Sequence, residues 1–320
     1  MPRGVRRAEG YRHAHRRAAG GRRHEHRRRP GAASRGRVAP DRAARASEPQ
    51  LVNADDGELL ALATRLALAA GKMVRDGRRE RGVATVSTKS AATDMVTEFD
   101  KASEDLIVGG ILEARAHDGI VGEEGTDTLG TSGVDWLIDP IDGTTNFLYG
   151  LPGWAVSIAA RTAEGTRVGV VYVPSNDELF TARAGHGAFL NGEPIHCSDT
   201  DDLALALVAT GFAYTVERRA EQARRVAELL PRIRDVRRLG AAAPDLCNLA
   251  AGRVDVYFEQ WLGPWDLAAG ELIAREAGCL LGSLDGGPLH HSSVLAATPS
   301  LFAPMRDLLA AIDRDPAARA

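Results

Sequence analysis

Cysteine and lysine are both scarce in this chain of 320 residues. The three cysteines, Cys197, Cys247 and Cys279, are scattered, odd in number and form no CxxC pair. That excludes a disulfide framework and argues against zinc held through cysteine; it fits reduced, structural thiols in a cytoplasmic protein. No apolar run approaches the ~20 residues needed to span a bilayer, so no membrane partner is expected. An apolar h-region is also missing after the N-terminal arginines, which excludes a secretory signal. Lysine occurs three times, at Lys72, Lys89 and Lys101, against 37 arginines, a bias that suggests GC-rich coding. No internal repeat is present.

The net charge of −3 conceals an asymmetry. Residues 1–50 hold 15 basic residues and four acids (Glu9, Glu25, Asp41, Glu48), a balance of +11, and the remainder carries −14. Runs such as Arg22-Arg23-His24-Glu25-His26-Arg27-Arg28-Arg29 have no apolar periodicity and cannot bury a core, so disorder is expected. The segment reads either as an arginine arm for nucleic acid or another acidic partner, or as a functionless extension from a start assigned too far upstream. The second reading is preferred, because spurious frames in GC-rich genomes are rich in arginine, alanine and glycine. Nucleic acid is therefore not an expected partner. The 44% hydrophobic content suffices for a large core, and a folded domain is expected over residues 51–315.

Apolar residues at three- and four-residue steps (Leu59, Leu62, Leu66, Ala70, Met73) predict a helix over 55–76, capped by Asp55 or Asp56. A second helix is expected over 99–114, and the polar stretch 83–97 between them reads as a hairpin or mobile loop. Strands are expected at 119–122 and 135–138, and 154–160, 168–173 and 178–181 read as a β-meander. Asn191-Gly192 is a hairpin-turn signal. Beyond it the pattern predicts strands at 205–209, 236–239, 254–259 and 294–297, and helices at 216–230, 244–251, 266–277 and 300–312. Helices and meander strands in blocks point to an α+β layered architecture and not to strict βαβ winding.

The run Trp136-Leu137-Ile138-Asp139-Pro140-Ile141-Asp142-Gly143-Thr144-Thr145-Asn146-Phe147 carries the most chemistry. It sets two carboxylates three residues apart at the end of an apolar strand, followed by a glycine and two hydroxyls. Magnesium takes oxygen ligands and shares its shell with substrate phosphate. A glycine lets the backbone approach closely, and free N–H groups at a helix start attract an anion. Metal-assisted hydrolysis of a phosphate ester is the chemistry suggested. Taken alone, Glu123-Glu124 reads as a charged turn ahead of a metal pair, Asp266 as a helix N-cap and Glu259 as a solvated strand end. Their places at strand ends and helix starts, where α/β proteins build sites, raise all three. Other patterns fail. Gly185-His186-Gly187-Ala188-Phe189-Leu190 lacks the third glycine of a dinucleotide fingerprint and no helix follows, so it reads as a tight turn. His290-His291 has no spaced ligand partner, and the Asp139–Asp142 spacing is one residue too long for a haloacid dehalogenase motif.

Together, Gly122-Glu123-Glu124, Trp136 to Phe147, and Trp265-Asp266-Leu267-Ala268-Ala269-Gly270 through Glu276-Ala277-Gly278 resemble the signatures of the inositol monophosphatase family. Gly187 to Gly192 resembles its hairpin, and the resemblance runs from about residue 55 to 312. It implies an αβαβα layered sandwich, usually a homodimer, with magnesium as cofactor and lithium as inhibitor. By that resemblance Glu123, Asp139 and the Ile141 carbonyl hold a first magnesium, and Asp139, Asp142 and Asp266 hold a second. A third, weaker ion would rest largely on Glu123 and water. One ion activates water while the other stabilises the leaving oxygen of an in-line displacement. Thr144, supported by Asp94 and joined by Glu123, would orient that water and accept its proton. The N–H groups of Gly143 and Thr144 would bind the phosphate, and Lys89 would lie on a flap over the metals.

For the alcohol half of the substrate, Gly240, Ala242 and Glu259 match the family's inositol-facing positions, with Glu259 accepting hydrogen bonds from vicinal hydroxyls. Gly211-Phe212 stands where the animal enzymes place a glycine and a serine, which removes a hydroxyl contact. Cys279 replaces a usual glycine. The resemblance implies hydrolysis of myo-inositol monophosphate. Histidinol phosphate is the main alternative, although Thr145 stands where a lysine would favour it, and fructose 1,6-bisphosphate and nucleotide 3′-phosphates follow.

Overall fold

The computed structural model describes residues 55–84, 86–89 and 94–314, so the arginine-rich stretch 1–50, with the disorder expected of it, lies outside the described residues. Helix α1 (Asp56–Arg81) starts where the Asp55 carboxylate accepts from the Gly57 amide at 2.8 Å. Asp56 and Glu58 in its first turn and Arg78, Arg79 and Arg81 in its last complement the helix dipole. It runs past its expected end at 76, through Gly77, and stops at Gly82, whose N–H bonds the Arg78 carbonyl. Strands β1 (Val86–Thr88) and β2 (Met95–Thr97) pair antiparallel as a hairpin. Helix α2 (Glu98–Ala114) begins one residue early because Thr97 and Asp100 close a capping box.

Next come β3 (Gly119–Gly122), β4 (Asp127–Thr128), β5 (Asp135–Asp142), the short α3 (Thr144–Tyr149), β6 (Ala155–Thr162), β7 (Gly165–Val173), β8 (Glu178–Arg183), β9 (Ala188–Leu190) and β10 (Glu193–Ile195). The second half holds β11 (Leu207–Thr210), α4 (Val216–Leu229), β12 (Asp235–Arg237), α5 (Ala242–Ala250), β13 (Val256–Gln260), α6 (Pro264–Glu276), β14 (Leu280–Gly282), β15 (Ser293–Ala297) and α7 (Pro299–Arg314). The strand expected from Leu205 starts at Leu207, because the Asp202 carboxylate caps a 3-10 turn over Leu203–Leu205.

The strands form an eight-stranded sheet, ordered β10-β9-β8-β7-β6-β5-β3-β4, and a five-stranded sheet, ordered β12-β11-β13-β15-β14. Alternation along each strand sorts the side chains into layers. On β5, Trp136 and Ile138 join Leu59, Leu66, Ile107 and Ile111 of α1 and α2, while Leu137 turns to Cys247, Ala269, Leu272 and Ile273 of α5 and α6. On β13, Tyr257 faces Leu246 and Leu267 of the same two helices, while Val256 and Phe258 meet Leu229 of α4 and Met305 of α7. Helices α5 and α6 therefore bury apolar residues on two faces, one toward each sheet, and keep Glu271 and Arg275 at the edge of α6. The order of layers is helix, sheet, helix, sheet, helix, the expected αβαβα sandwich.

Candidate active site

In each sheet two neighbouring strands run parallel, β3 with β5 and β11 with β13. The segments that follow them border one cleft of about 820 Å³. Its lining contains Lys89, Asp94, Glu123, Asp139, Ile141, Asp142, Gly143, Thr144, Gly240, Ala242, Glu259 and Asp266, the residues to which the resemblance gives a site role; Glu124 is not among the lining residues.

A spacing of three would send Asp139 and Asp142 to opposite faces of a regular strand. Here β5 carries a bulge: Asp139 pairs with Ser157 and Asp142 with Ala155, so one extra residue sits between them. The bulge turns both carboxylates into the cleft, and Pro140 lies within it. Asp139 is 2% exposed and accepts from the Ile141 amide at 3.0 Å; Asp142 is 7% exposed and accepts from the amides of Ala242 (3.3 Å) and Ala243 (2.6 Å) at the start of α5. Ala242 thus lines the cleft with its amide committed to Asp142. Asp266 accepts from the Gly263 amide at 2.7 Å. Lys89 donates to Glu123 at 2.9 Å and to Glu124 at 2.5 Å, and Glu104 holds this turn by accepting from the amides of Glu124 and Thr126.

Burial, with the charges of Glu123, Asp142 and Asp266 added, pushes the Asp139 carboxyl well above the usual range. Burial and the Asp266 charge do the same to Asp142. Asp266 is pushed up to about 6, by burial and then by the Glu123 charge. Burial pulls the Lys89 ammonium down, but the charges and hydrogen bonds of Glu123 and Glu124 outweigh it and push it up. Among the described residues no three ligand-type side chains close into a finished cage; the acids rest on backbone amides, on Lys89 and on one another. Crowded buried carboxylates stay ionised only beside compensating positive charge. An anionic, all-oxygen donor set of this kind fits magnesium.

Thr144 departs from expectation. Its hydroxyl lies 3.1 Å from Asp100 Oδ1 and 3.1 Å from the Ile141 carbonyl, so the supporting acid is Asp100 and not Asp94. Asp94 lines the cleft, and its carbonyl accepts from the Lys89 amide at 2.9 Å. Asp100 is fully buried, and its other oxygen accepts from the Thr97 amide and hydroxyl. The pattern Thr97-Glu98-Phe99-Asp100 is a capping-box signal that would have located this acid.

On the alcohol side Glu259 accepts from the Tyr257 hydroxyl at 2.8 Å, and burial pushes its carboxyl up to about 7. Gly211 leaves room for it: a Cβ there would stand 1.9 Å from Glu259 Oε1, so any larger residue must push this carboxylate aside. Phe212, Tyr214, Arg218, Arg238 and Trp261 complete this wall, and apart from Phe212 no sequence signal marked them. His290 and His291 stack on each other, bonded to Ser292 and the Leu262 carbonyl.

Comparison with known proteins agrees with this architecture. The chain matches the Inositol monophosphatase family over residues 55–312. It is 42% identical over 279 residues to an inositol-1-monophosphatase of Mycobacterium leprae, covering 81% of this chain and 95% of that one. It is 40% identical over 259 residues to the Nus factor SuhB of Salmonella typhimurium, covering 78% and 97%. Among solved structures, SuhB of Mycobacterium tuberculosis superposes with a TM-score of 0.70 at 36% identity, covering 82% of this chain and 99% of that one. The extragenic suppressor protein suhB of Bartonella henselae gives 0.75 at 33% identity, covering 79% and 98%.

Proposed function

The chain belongs to the inositol monophosphatase family, and on that premise we propose that it hydrolyses myo-inositol monophosphate, or a closely related phosphate monoester, with magnesium. One observation carries this reading: buried, mutually crowded acids face Glu259 across a single cleft. Magnesium held by Glu123, Asp139, the Ile141 carbonyl, Asp142 and Asp266 would supply water activation and charge neutralisation at the leaving oxygen. Thr144, aligned by Asp100, orients the attacking water and relays its proton, with Glu123 beside it. The first N–H groups of a helix have no intrahelical partner, so those of Gly143 and Thr144 receive the phosphate oxygens. Glu259 accepts hydrogen bonds from vicinal hydroxyls of the alcohol. Lithium inhibition, a homodimer and a cytoplasmic location belong to the same reading. Among the described residues no helix is long and apolar enough to cross a membrane.

The test is a phosphate-release screen with magnesium, with and without lithium, across inositol phosphates, histidinol phosphate, fructose 1,6-bisphosphate and nucleotide phosphates. Release from inositol 1-phosphate that lithium suppresses supports the reading; no release from any ester refutes it. Asp139→Asn should abolish turnover with the fold retained. A second reading rests on the +11 balance of residues 1–50: this stretch acts as a basic arm for nucleic acid. Salt-dependent binding by the full chain, absent from a chain starting near Gln50, would support it.

A further inference from the structure

The cleft's two walls differ in charge. Glu123, Asp139, Asp142, Asp266 and Lys89 line one; Arg218, Arg219 and Arg238 stand on the other with Glu259, Phe212, Tyr214 and Trp261. In a body of net charge −14, arginines readily find acids, as Arg167 finds Asp56 and Arg253 finds Glu178. Arg218 and Arg238 form no ion pair among the described residues, although both border the cleft.

Their positions are built. Helix α4 presents Arg218, Gln222 and Arg225 at steps of four and three, on one face. Arg225 is clamped by Asp313 at 2.9 and 3.0 Å and donates to Gln260 at 2.6 Å. Gln222 accepts from the Ala213 amide at 2.8 Å and donates to the Gly211 carbonyl at 3.4 Å. These two side chains hold α4 to the ends of β11 and β13. Arg218, one turn before Gln222, has its guanidinium over the Trp261 ring at 4.6 Å. Trp261 itself sits at φ 66, a strained backbone for a residue with a side chain and a conformation that clusters at ligand sites. Arg238 lies over the Phe212 ring at 6.0 Å, and a Cβ on Gly240 would stand 2.8 Å from its Nη1, which puts it on the alcohol side. Stacking on a ring orients a guanidinium and leaves its fork of N–H donors for planar or tetrahedral oxyanions. Glu259 and Asp245 act on Arg238 electrostatically without reaching ion-pair distance, so a neutral polyol would leave both forks without a hydrogen-bonded anion. The cleft, about 820 Å³, is near the large end of ordinary ligand pockets.

Resting on the hydrolase reading above, we propose that Arg218 and Arg238 form a second anion-binding position, so that the cleft favours polyol esters carrying a second phosphate on the alcohol half. The full chain is assayed with magnesium on matched pairs, inositol 1-phosphate against inositol 1,4-bisphosphate and fructose 1-phosphate against fructose 1,6-bisphosphate. The second phosphate should raise kcat/KM at least tenfold, chiefly through KM. In the R218A/R238A double variant that ratio should collapse to within about twofold of one, and R218K/R238K should restore part of it. Equal kcat/KM within each wild-type pair, or an equal loss on both members in the double variant, overturns the proposal. So does a carboxylate-bearing ester, such as 3-phosphoglycerate, that gains as much as the bisphosphates. Calorimetric binding of the same esters needs no turnover. If no ester is hydrolysed the hydrolase reading fails, while weaker bisphosphate binding in the double variant still supports the second position and unchanged binding overturns it.

Discussion

Replacing Asp100 with asparagine separates the acid that serves Thr144 from the acid that merely lines the cleft. Asp100 works in two directions: Oδ2 accepts from the Thr97 amide at 2.8 Å, and Oδ1 lies 3.1 Å from the Thr144 hydroxyl. Asparagine keeps the shape but only one of its arms is an acceptor. If the amide NH2 turned toward Thr97, it would oppose a buried backbone N–H, and losing the capping box costs about 0.5–2 kcal/mol. If it turns toward Thr144, it donates to the hydroxyl, which then gives its own proton to the Ile141 carbonyl, 3.1 Å away. Thr144 tolerates that exchange because a hydroxyl has lone pairs and a backbone amide has none. The second orientation therefore wins, and Thr144 no longer has a carboxylate to which it can pass water's proton. Loss of a positioned proton acceptor costs roughly 10²–10⁴-fold. Initial rates of phosphate release should show kcat down at least a hundredfold with KM little changed, and thermal unfolding should shift by no more than a few degrees. Asp94→Asn leaves the Thr144–Asp100 contact in place and should cost less than tenfold. A folded Asp100→Asn protein within threefold of the parent kcat, or an Asp94→Asn protein that is worse, refutes the assignment.

Stability should depend on pH in a direction set by the acid cluster. Asp266 is raised to about 6 from 3.8 and Glu259 to about 7 from 4.5, each chiefly by burial. The folded chain thus holds more protons than the unfolded chain between about pH 4 and 7, and stability falls as pH rises through that window. In chelator the melting temperature should drop from pH 4.5 to 7, and magnesium should reverse the drop by binding the carboxylate form; a flat profile in chelator contradicts this. Gly211→Ala places a Cβ 1.9 Å from Glu259 Oε1, so the KM for an inositol ester should rise about tenfold while an aryl phosphate is turned over near the parent rate. An unaltered inositol KM would show that Glu259 does not face the alcohol. Asn146→Ala removes donors to the carbonyls of Gly153 (3.1 Å) and Leu239 (2.8 Å). Losing both hydrogen bonds to part-buried carbonyls should lower stability by about 0.5–1.5 kcal/mol in denaturant titration, and no measurable loss would mean that water replaces the amide.

What the sequence displays is local. The 3.6-residue period of Leu59, Leu62 and Leu66 is visible within one window, and so is the Asp139–Asp142 turn, because each depends on neighbours along the chain. The layered class was legible for the same reason, since helices and meander strands follow one another in blocks along the chain. Asp100 was not assigned because its contact with Thr144 spans 44 residues, and the fold alone brings α2 beside the end of β5. The bulge between Asp139 and Asp142 is an intermediate case: Pro140 hints at it, but only pairing with β6 shows that both acids turn the same way.

The same distinction explains why the reaction was easier to read than the alcohol. The acid wall draws on the ends of β3 and β5 and the start of α6, each inside a contiguous motif. The alcohol wall is assembled from the ends of β11, β12 and β13 and the first turn of α4, three short strands and a helix with no shared motif. Changes there leave the hydrolytic machinery in place, so this wall is where members of one fold can diverge. Phe212 shows how. The position lacks the hydroxyl expected of an animal-type inositol site, yet it is not blank: its ring lies under the Arg238 guanidinium at 6.0 Å. On the reading proposed above, Phe212 supports a cation in place of a hydroxyl contact, and a cation bordering a substrate cleft discriminates by charge.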